Sequence, residues 1–335
     1  MRPVCKSRNK SAMNSLNSAV SPNATFVRPL FFYINGFSNI PHVKYYYIFL
    51  CCVYAVTVLG NVFIMLIIYN EQSLHTPKYI AVFNLATVDM CGSTALIPKL
   101  IDTFLFDSQF IAYEACLANM FFVHFFTFMQ SLTLLVLAYD RFVAICFPLQ
   151  YHVIMTNTVM IVILAIVWIC TAGLLITAVS LITRLSFCAS IVINSYFCDH
   201  GPTYRLACND NSPSDVIAKL CITILLFGPL VLILLSYLCI IFALLKIASR
   251  EGRLKAMKTC TSHLILVAVF YLPISVTYIY FKTIHPNDRI INTSLSSTIP
   301  PMLNPIIYTL KTEEIMEAIK KLYKRNKISS APVNP

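Results

Sequence analysis

Hydrophobic residues in this chain are gathered into seven long runs, and most polar residues fall between the runs. The runs lie near 44–69, 79–101, 116–146, 157–182, 214–247, 256–281 and 289–310. A helix needs about 20 mostly apolar residues to cross the hydrocarbon core of a bilayer, and each run is long enough. The second and seventh runs carry more polar residues than the others. The pattern predicts an all-α membrane protein built as a seven-transmembrane helix bundle.

Composition agrees with a membrane protein. Of 335 residues, 58% are hydrophobic and 12% are charged, whereas a soluble domain carries about twice that charged fraction. The net charge of +11 is compatible in principle with nucleic-acid binding. The basic residues, however, lie between the apolar runs and in the tail, and no segment is long enough to form a separate polar domain. We therefore expect the lipid bilayer as a partner and no nucleic acid.

Lysine and arginine also predict the orientation of the bundle. The connection 246–258 and the C-terminal tail are rich in both, and they lie on one side if seven helices alternate. Basic loops mark the cytoplasmic side. We therefore predict an extracellular N-terminal tail at 1–43, a seven-transmembrane domain at 44–311, and a cytoplasmic helix and tail at 312–335. The acceptor sequence for N-glycosylation at Asn23 agrees with an outside N-terminus.

The stretch after the seventh run has the pattern of a short amphipathic helix. Thr312 can cap its first turn, and lysines occupy one face. The opposite face carries Ile315, Ile319, Leu322 and Tyr323. Such a helix is expected to lie on the inner leaflet of the membrane. Docking of the same apolar face on the protein is the alternative.

Four cysteines flank or occupy the longest connection, which covers residues 183–213. They are Cys116, Cys188, Cys198 and Cys208. An even set on an oxidising face is suited to two disulfides, and four cysteines allow three pairings. Cys116 precedes Arg141 by 25 residues, which is about 37 Å along a helix. The two residues are therefore expected at the outer and inner ends of one membrane helix.

Several polar residues fall inside the apolar runs, where burial is costly and a functional role is the first hypothesis. These are Asn61, Asp89, Gln130, the adjacent pair Asp140 and Arg141, and Asn304. For the asparagines the alternative is hydrogen bonding that only joins helices. For the charged pair the alternative is an interfacial ion pair that reaches the headgroups. A buried Asp89 carboxylate needs a partner, a bound cation or a proton.

Short motifs occur in a fixed order along these runs. They are Gly60-Asn61, Leu74-His75-Thr76-Pro77 with Tyr79, Ala138 to Cys146, Ser236-Tyr237, Lys255-Ala256 with Thr259-Cys260 and Ser262-His263-Leu264, and Pro301 with Leu303 to Tyr308. In these motifs the chain resembles the odorant receptors, a branch of the rhodopsin-like G-protein-coupled receptors. One match would be weak, but six on the expected helices make the resemblance specific.

The resemblance implies roles for several of these residues. The family pattern implies the disulfides Cys116–Cys198 and Cys188–Cys208. It also implies an activation switch at the cytoplasmic end, in which the carboxylate of Asp140 holds the Arg141 guanidinium at rest. The other members of the switch are Tyr237, Asn304, Pro305 and Tyr308. Family members often have an acid in place of Gln130, so the amide puts a cation site shared with Asp89 in doubt.

The outer half of such a bundle is expected to enclose a ligand pocket. By position, its candidate residues are Met120, Val123, His124, Thr127, Phe128, Cys221, Tyr271, Ser275, Tyr278, Ser294 and Ser297. Amine receptors carry an aspartate where this chain has Val123, so a monoamine ligand is disfavoured. The mixture of apolar and hydroxyl groups fits a small organic molecule of modest polarity. His124 is a candidate polar contact, and a hydrogen bond within the bundle is the alternative for its ring.

By resemblance, the chain is expected to be an odorant-activated receptor at the plasma membrane that couples to a stimulatory G protein and raises cyclic AMP. Motifs of enzymes such as H-E-x-x-H, G-x-S-x-G or a phosphate loop are not found, and no cofactor or metal is expected. A non-olfactory rhodopsin-like receptor for another small ligand is one alternative. A transporter is a weaker one, because the chain shows no internal repeat and the helix count is odd.

Overall fold

The computed structural model describes residues 26–37, 43–105, 108–188, 190–246, 250–279, 285–311 and 313–329. Eight long helices are labelled in chain order. They are α1 (Val43–Asn70), α2 (Pro77–Leu105), α3 (Tyr113–Cys146), α4 (Asn157–Ile182), α5 (Ser212–Lys246), α6 (Arg250–Ile279), α7 (Pro286–Lys311) and α8 (Glu313–Ser329). Each of the seven apolar runs falls on one of the helices α1 to α7, so the predicted helix bundle is confirmed.

In the described part of the chain, six helices, α1 to α6, are long and apolar enough to cross a membrane. Helix α7 is more polar and contains Pro300, Pro301 and Pro305, yet it packs against α1, α2 and α6. Helical backbone satisfies its own hydrogen bonds, which a chain crossing lipid must do. Large apolar side chains such as Leu59 and Ile169 point outward, as expected of helices whose outer surface faces lipid.

Helix α3 forms the centre of the bundle and α4 lies at its edge. In the most apolar stretch of α3, 61% of the residues are buried inside the protein, whereas the corresponding share in α4 is 22%. Helix α5 contains one turn of π-helix, Thr223–Phe227, between its two α-helical parts. Residues on α3 are therefore placed to contact both halves of the bundle and both of its ends.

The outer end carries a small sheet that the hydrophobic pattern did not predict. Its strands are β1 (Phe31–Ile34), β2 (Phe110–Ala112) and β3 (Val192–Ile193), in the order β2-β1-β3. Strand β1 runs antiparallel to β2 and parallel to β3. The strands are too short for an alternating pattern and come from three distant segments, so local sequence gave little signal for them.

Two disulfides hold the long outer loop beside this sheet. Cys116 at the start of α3 is joined to Cys198, with a Cα–Cα distance of 5.4 Å. Cys188 is joined to Cys208, with a Cα–Cα distance of 5.9 Å. Strand β3 lies between Cys188 and Cys198, so this part of the loop is tethered on both sides. The two pairs are those that the family resemblance implied.

Helix α8 docks on the protein at the inner end of the bundle. Ile315 and Ala318 are buried in a hydrophobic cluster with residues of α1 to α4 and of the first inner connection, and Ile319 and Leu322 pack at its edge. Among the described side chains, Lys321 of α8 forms one of two ion pairs that hold this helix. This differs from the expectation that the apolar face lies on lipid, because part of that face is covered by protein. Thr312 and the side chain of Tyr323 lie outside the described residues.

Both ion pairs join α8 to the segment around the first inner connection. Lys321 Nζ donates to Glu71 Oε1 at 2.7 Å, and Lys78 Nζ donates to Glu314 Oε2 at 3.2 Å. The hydrogen bond from Lys321, followed by that from Ser73, lowers the pKa of Glu71. Burial alone would raise the pKa of Glu314, but the nearby charge of Lys78 lowers it. Both carboxylates are therefore stabilised in the ionised form that binds lysine.

Helices α1 and α7 approach closely at Gly60. A Cβ atom built on Gly60 would lie 2.9 Å from Cγ of Pro305, which is shorter than ordinary van der Waals contact. A proline ring cannot swing away as a long side chain can. Gly173 on α4, in contrast, has nothing within 4 Å of such a Cβ position. Replacing each of the two glycines by alanine therefore separates the effect of close packing from the effect of helix propensity.

We expect Gly60→Ala to destabilise the purified receptor by about 1–3 kcal/mol, because the new methyl group overpacks the α1–α7 contact. Gly173→Ala should leave stability unchanged or raise it, since alanine favours the helix. Thermal unfolding of both variants and the wild type in detergent measures the difference. Equal unfolding temperatures for the two variants would contradict the close α1–α7 packing.

Candidate functional site

The centre of the bundle holds a buried carboxylate, Asp89 on α2, with donors from two other helices. Gln130 Nε2 on α3 donates to Asp89 Oδ1 at 2.8 Å, and Asn304 Nδ2 on α7 donates to Asp89 Oδ2 at 2.6 Å. The Asp89 side chain is fully buried. Three of the polar residues singled out in the sequence are thus brought together. In this structure the partners of the carboxylate are two amides, one on each oxygen.

Asn61 on α1 completes a hydrogen bond that α7 cannot make alone. Pro305 has no backbone N–H, so the carbonyl of Pro301, four residues earlier, lacks its helical donor. Asn61 Nδ2 donates to this Pro301 oxygen at 3.0 Å and to the Thr57 oxygen at 2.9 Å. The amide therefore joins α1 to α7 at the proline. This is the interhelical hydrogen bonding that was the alternative to a functional role for Asn61.

At the inner end of α3, Asp140 and Arg141 form an ion pair. Arg141 Nη2 donates to Asp140 Oδ2 at 2.5 Å, and the Asp140 side chain is fully buried. The hydroxyl of Tyr151, in the short helix Tyr151–Ile154, donates to Asp140 Oδ1 at 2.8 Å. Burial, followed by the charge of Asp140, raises the pKa of Tyr151 and keeps its phenol protonated. Tyr151 was missed in the sequence, where it is one of several aromatic residues near a chain connection.

A second hydrogen-bonded link crosses the same end of the bundle. Nε2 of His263 on α6 is 3.1 Å from the carbonyl oxygen of Leu134 on α3. Nδ1 of the same ring is 2.8 Å from the hydroxyl of Tyr237 on α5. Because a carbonyl can only accept, Nε2 carries the proton, and in the neutral ring Nδ1 accepts from Tyr237. In the sequence, His263 belongs to the motif Ser262-His263-Leu264, which by itself indicates no role for the ring. Tyr308 on α7 is half-buried and packs against two of the buried hydrophobic clusters, one of which contains Tyr237.

In the outer half, His124 has partners on its own helix and in the long loop. Its Nδ1 lies 2.8 Å from the Met120 carbonyl oxygen, and its Nε2 lies 3.4 Å from Asp199 Oδ1. Its ring also packs against those of Phe128 and Phe197, with centroids 6.4 Å and 5.5 Å away. Burial alone would raise the pKa of Asp199, but the hydrogen bond from His124 and the charge of that ring lower it. Asp199 follows Cys198, whose disulfide places it over α3.

A small cavity lies between α2, α3 and α7, directly above the Asp89 cluster. It is lined by Gly92, Leu96, Val123, Phe126, Thr127, Gln130 and Ser297. Its interior has room for about one water molecule. Val123, Thr127 and Ser297 were candidate pocket residues, and Gln130 forms the floor while also bonding Asp89. The cavity and the polar centre therefore share one side chain.

The other candidate pocket residues lie around this cavity or deeper in the bundle. Met120 belongs to the outer hydrophobic core, while Phe128, Cys221 and Tyr271 are buried in the core formed mainly by α3, α5 and α6. The Tyr271 hydroxyl is 2.7 Å from Ser131 Oγ, which donates to the Leu225 oxygen. Ser275 is half-buried on α6.

Two serines of α7 bind tyrosine hydroxyls at the outer end. Ser294 Oγ lies 2.5 Å from the hydroxyl of Tyr46 on α1, and Ser297 Oγ lies 3.3 Å from the hydroxyl of Tyr196 in the long loop. Both candidate pocket serines therefore already have protein partners. The side chain of Tyr278 and the proposed glycosylation site Asn23 lie outside the described residues.

Comparison with known proteins shows which family has similar sequences. The family model described as "Olfactory receptor" matches residues 50–326. Olfactory receptor 51F2 of Homo sapiens is 37% identical over 316 residues, covering 92% of this chain and 92% of the relative. Olfactory receptor 1M1 of Mus musculus is 36% identical over 302 residues, covering 90% and 96%.

A solved structure shows the same fold. The crystal structure of squid rhodopsin matches with a TM-score of 0.67 over 88% of this chain and 89% of that chain, at 18% identity. The matches to receptors along most of the chain remove the support for the transporter alternative, and the olfactory relatives do the same for a non-olfactory branch.

Gln130→Glu would place a second carboxylate beside Asp89. Two buried like charges cannot both remain ionised without a counterion, so one must take a proton or share a cation. We expect the purified variant to unfold about 5 °C below the wild type at neutral pH. Its stability should rise as the pH falls or as sodium is added, because either change removes the repulsion.

Thermal unfolding against pH and against sodium, with N-methylglucamine chloride at equal ionic strength, measures this response. Gln72→Glu makes the same change at an exposed position of the first inner connection and is the matched control. A Gln130→Glu receptor that follows the control at every pH would show that residue 130 does not face the Asp89 carboxylate.

Proposed function

This chain belongs to the olfactory receptor family, and from that premise we propose that it is activated by a small odorant bound in the outer half of its bundle and that it couples to a stimulatory G protein to raise cyclic AMP. Members of this family are multi-pass receptors of the plasma membrane and signal without being enzymes. The proposal concerns three points: the class of ligand, the place where it binds in the bundle, and the type of G protein.

One observation carries the proposal: Gln130 is at once a wall of the outer cavity and a partner of Asp89. A molecule that enlarges the cavity must press on or replace contacts of this side chain. Asp89 in turn binds Asn304 on α7, so the displacement has a hydrogen-bonded route to the helix that ends at the cytoplasmic side. The wall that a ligand touches is therefore part of the joint between α2, α3 and α7.

The size of the cavity supports ligand binding to a different state of the bundle. A space for about one water is far too small for an organic molecule, so a ligand must favour a conformation in which α2, α3 and α7 are further apart. A ligand shifts such an equilibrium only by its difference in affinity for the two states. In this proposal the closed cavity belongs to the resting state, and an odorant would favour a second, more open state.

The chemistry of the walls favours a small neutral ligand. Leu96, Val123 and Phe126 provide apolar surface, while the Thr127 and Ser297 hydroxyls and the Gln130 amide are the polar groups. No carboxylate lines this cavity among the described residues, and in the outer half His124 and Asp199 are paired with each other. A molecule with an apolar body and one hydrogen-bonding group, such as an alcohol or a ketone, fits this surface.

At the inner end, the Asp140–Arg141 pair is the proposed switch. Tyr151 and Arg141 occupy one oxygen each of the buried carboxylate, so Arg141 is held away from the cytoplasm. The Tyr237 hydroxyl is hydrogen-bonded to His263 Nδ1 at 2.8 Å. Activation would release Arg141 toward a G protein, beside Tyr237 and Tyr308, when the inner ends of α5 and α6 move. A ligand bias of a few kcal/mol is of the size needed to break such a pair.

The proposal is tested by recording cyclic AMP in cells that display the tagged receptor while a broad panel of small odorants is applied. We expect a dose-dependent rise with at least one neutral odorant, and its loss in Arg141→Ala at equal surface level. Arg184→Ala, in the exposed outer loop, makes the same change far from the switch and should keep the response.

Three results would count against parts of this proposal. A rise that survives Arg141→Ala would remove Arg141 from the switch. A response through another second messenger would replace the stimulatory G protein. Silence to the whole panel at full surface expression would overturn gating by small odorants of this class.

Tyr151→Phe should raise the ligand-free cyclic AMP signal. The change removes one hydrogen bond to the Asp140 carboxylate, worth about 1.5–3 kcal/mol, and so weakens the group that holds Arg141. Tyr69→Phe, which alters an exposed tyrosine at the inner end of α1, is the matched control. Basal signals that stay equal in the two variants would mean that Tyr151 does not contribute to the resting state.

A further inference from the structure

The N-terminal segment is part of the folded outer end of the protein. Phe32, Ile34 and Phe37 are each at most 1% exposed and belong to the outer hydrophobic core. Strand β1 lies between β2 and β3, so it has a hydrogen-bonded neighbour on both sides. A segment expected to be an extracellular tail thus provides the central strand of the sheet over the bundle.

Gly36 brings this segment into direct contact with the long outer loop. A Cβ atom built on Gly36 would lie 2.7 Å from the Cα of Tyr196 and 2.9 Å from the carbonyl oxygen of Ser195. Both atoms belong to the backbone, so neither can move without displacing the loop. Only glycine fits at this approach without a shift of Tyr196.

Tyr196 connects this contact to the walls of the ligand cavity. Its hydroxyl lies 3.3 Å from Oγ of Ser297, which lines the cavity. Its ring packs edge-on against Phe197 at a centroid distance of 4.9 Å, and Phe197 packs against His124. Phe37, next to Gly36, also packs against the Tyr196 ring, with centroids 6.0 Å apart. A displacement of Tyr196 would therefore reach two of the candidate ligand contacts.

The segment has the features of a fixed support, not of a lid that opens. Besides its three buried apolar side chains, it is tied to the loop by two hydrogen bonds ahead of the strand: Val27 N donates to Ser186 Oγ, and Phe187 N donates to the Val27 oxygen, each at 2.8 Å. The loop itself is held by the two disulfides. Opening would expose three large apolar side chains to water, whereas holding Tyr196 in place needs no movement.

We propose that the segment Val27–Phe37 is a positioning element of the ligand site, which sets the place of Tyr196 through the backbone contact at Gly36 and thereby the odorant sensitivity of the receptor. The part concerning sensitivity rests on the proposed function. The part concerning the position of Tyr196 does not, and it can be measured without any odorant.

The ligand-free test measures how fast a cysteine at the cavity wall is modified from outside. The full-length receptor carries Ser297→Cys, and Cys5 in the N-terminal tail is replaced by serine to remove its thiol. Intact cells are treated with a positively charged methanethiosulfonate, and the Cys5→Ser receptor without Ser297→Cys gives the labelling rate of the remaining free cysteines. Adding Gly36→Ala should accelerate labelling about tenfold, because strain at the overpacked contact displaces Tyr196 from Ser297. Gly201→Ala is the matched control, since nothing lies within 4 Å of its Cβ position.

The odorant test compares Gly36→Ala and Gly201→Ala in the otherwise unchanged receptor, at equal surface level. For an odorant that activates the wild type, we expect a shift of about tenfold in half-maximal concentration in Gly36→Ala alone. Should Gly36→Ala fail to reach the surface, Phe37→Leu takes its place, with the exposed Phe31→Leu as its control.

Labelling rates that are equal in Gly36→Ala and Gly201→Ala would overturn the positioning of Tyr196. Faster labelling with unchanged odorant sensitivity would overturn its role in ligand response. A wild type that answers no odorant would count against the proposed function, and the labelling rates would still decide whether the segment positions Tyr196.

Discussion

A carboxylate buried at the centre of a membrane bundle is the constraint on which the rest of this structure depends. Asp89 cannot be left without partners, because an unpaired charge in a medium of low polarity is costly. The chain meets this requirement with amides from α3 and α7, so three helices must keep a fixed register for the two hydrogen bonds to exist. The two hydrogen bonds thus tie α2, α3 and α7 together at the centre of the bundle.

The same need for satisfied polar groups explains the joint between α1 and α7. A helix in lipid must bond its own carbonyls, and Pro305 prevents α7 from doing so at Pro301. Asn61 supplies the missing donor, and its neighbour Gly60 lets the two helices approach closely enough for the amide to reach. Gly60-Asn61 on α1 and Pro301 with Pro305 on α7 thus form one contact, although 240 residues separate Asn61 from Pro301.

Much of the bundle could be predicted because its signals are local. Runs of about 20 apolar residues predict membrane helices, and costly polar residues such as Asp89 and Asn304 stand out within them. The sheet and the partners of the polar residues depend on contacts between distant segments. Strand β3 has two residues, and Tyr151 and His263 look like ordinary aromatic and polar residues until the fold places them beside Asp140 and Tyr237. The amphipathic pattern of α8 predicts an apolar face but does not distinguish lipid from protein as its partner, so the docking on protein depends on the fold.

The two ends of the bundle are held by different kinds of bond, and this difference gives the proposed mechanism its direction. The outer end is fixed by two disulfides and by a sheet whose central strand buries large apolar side chains. At the inner end, His263 joins α6 to α3 and α5, while Arg141 and Tyr151 bond the Asp140 carboxylate of α3, and each of these bonds is worth about 1–3 kcal/mol. A ligand bias of a few kcal/mol cannot open the first set but can shift the second. Strain created at the cavity is therefore relieved most easily at the cytoplasmic end, where a G protein would bind.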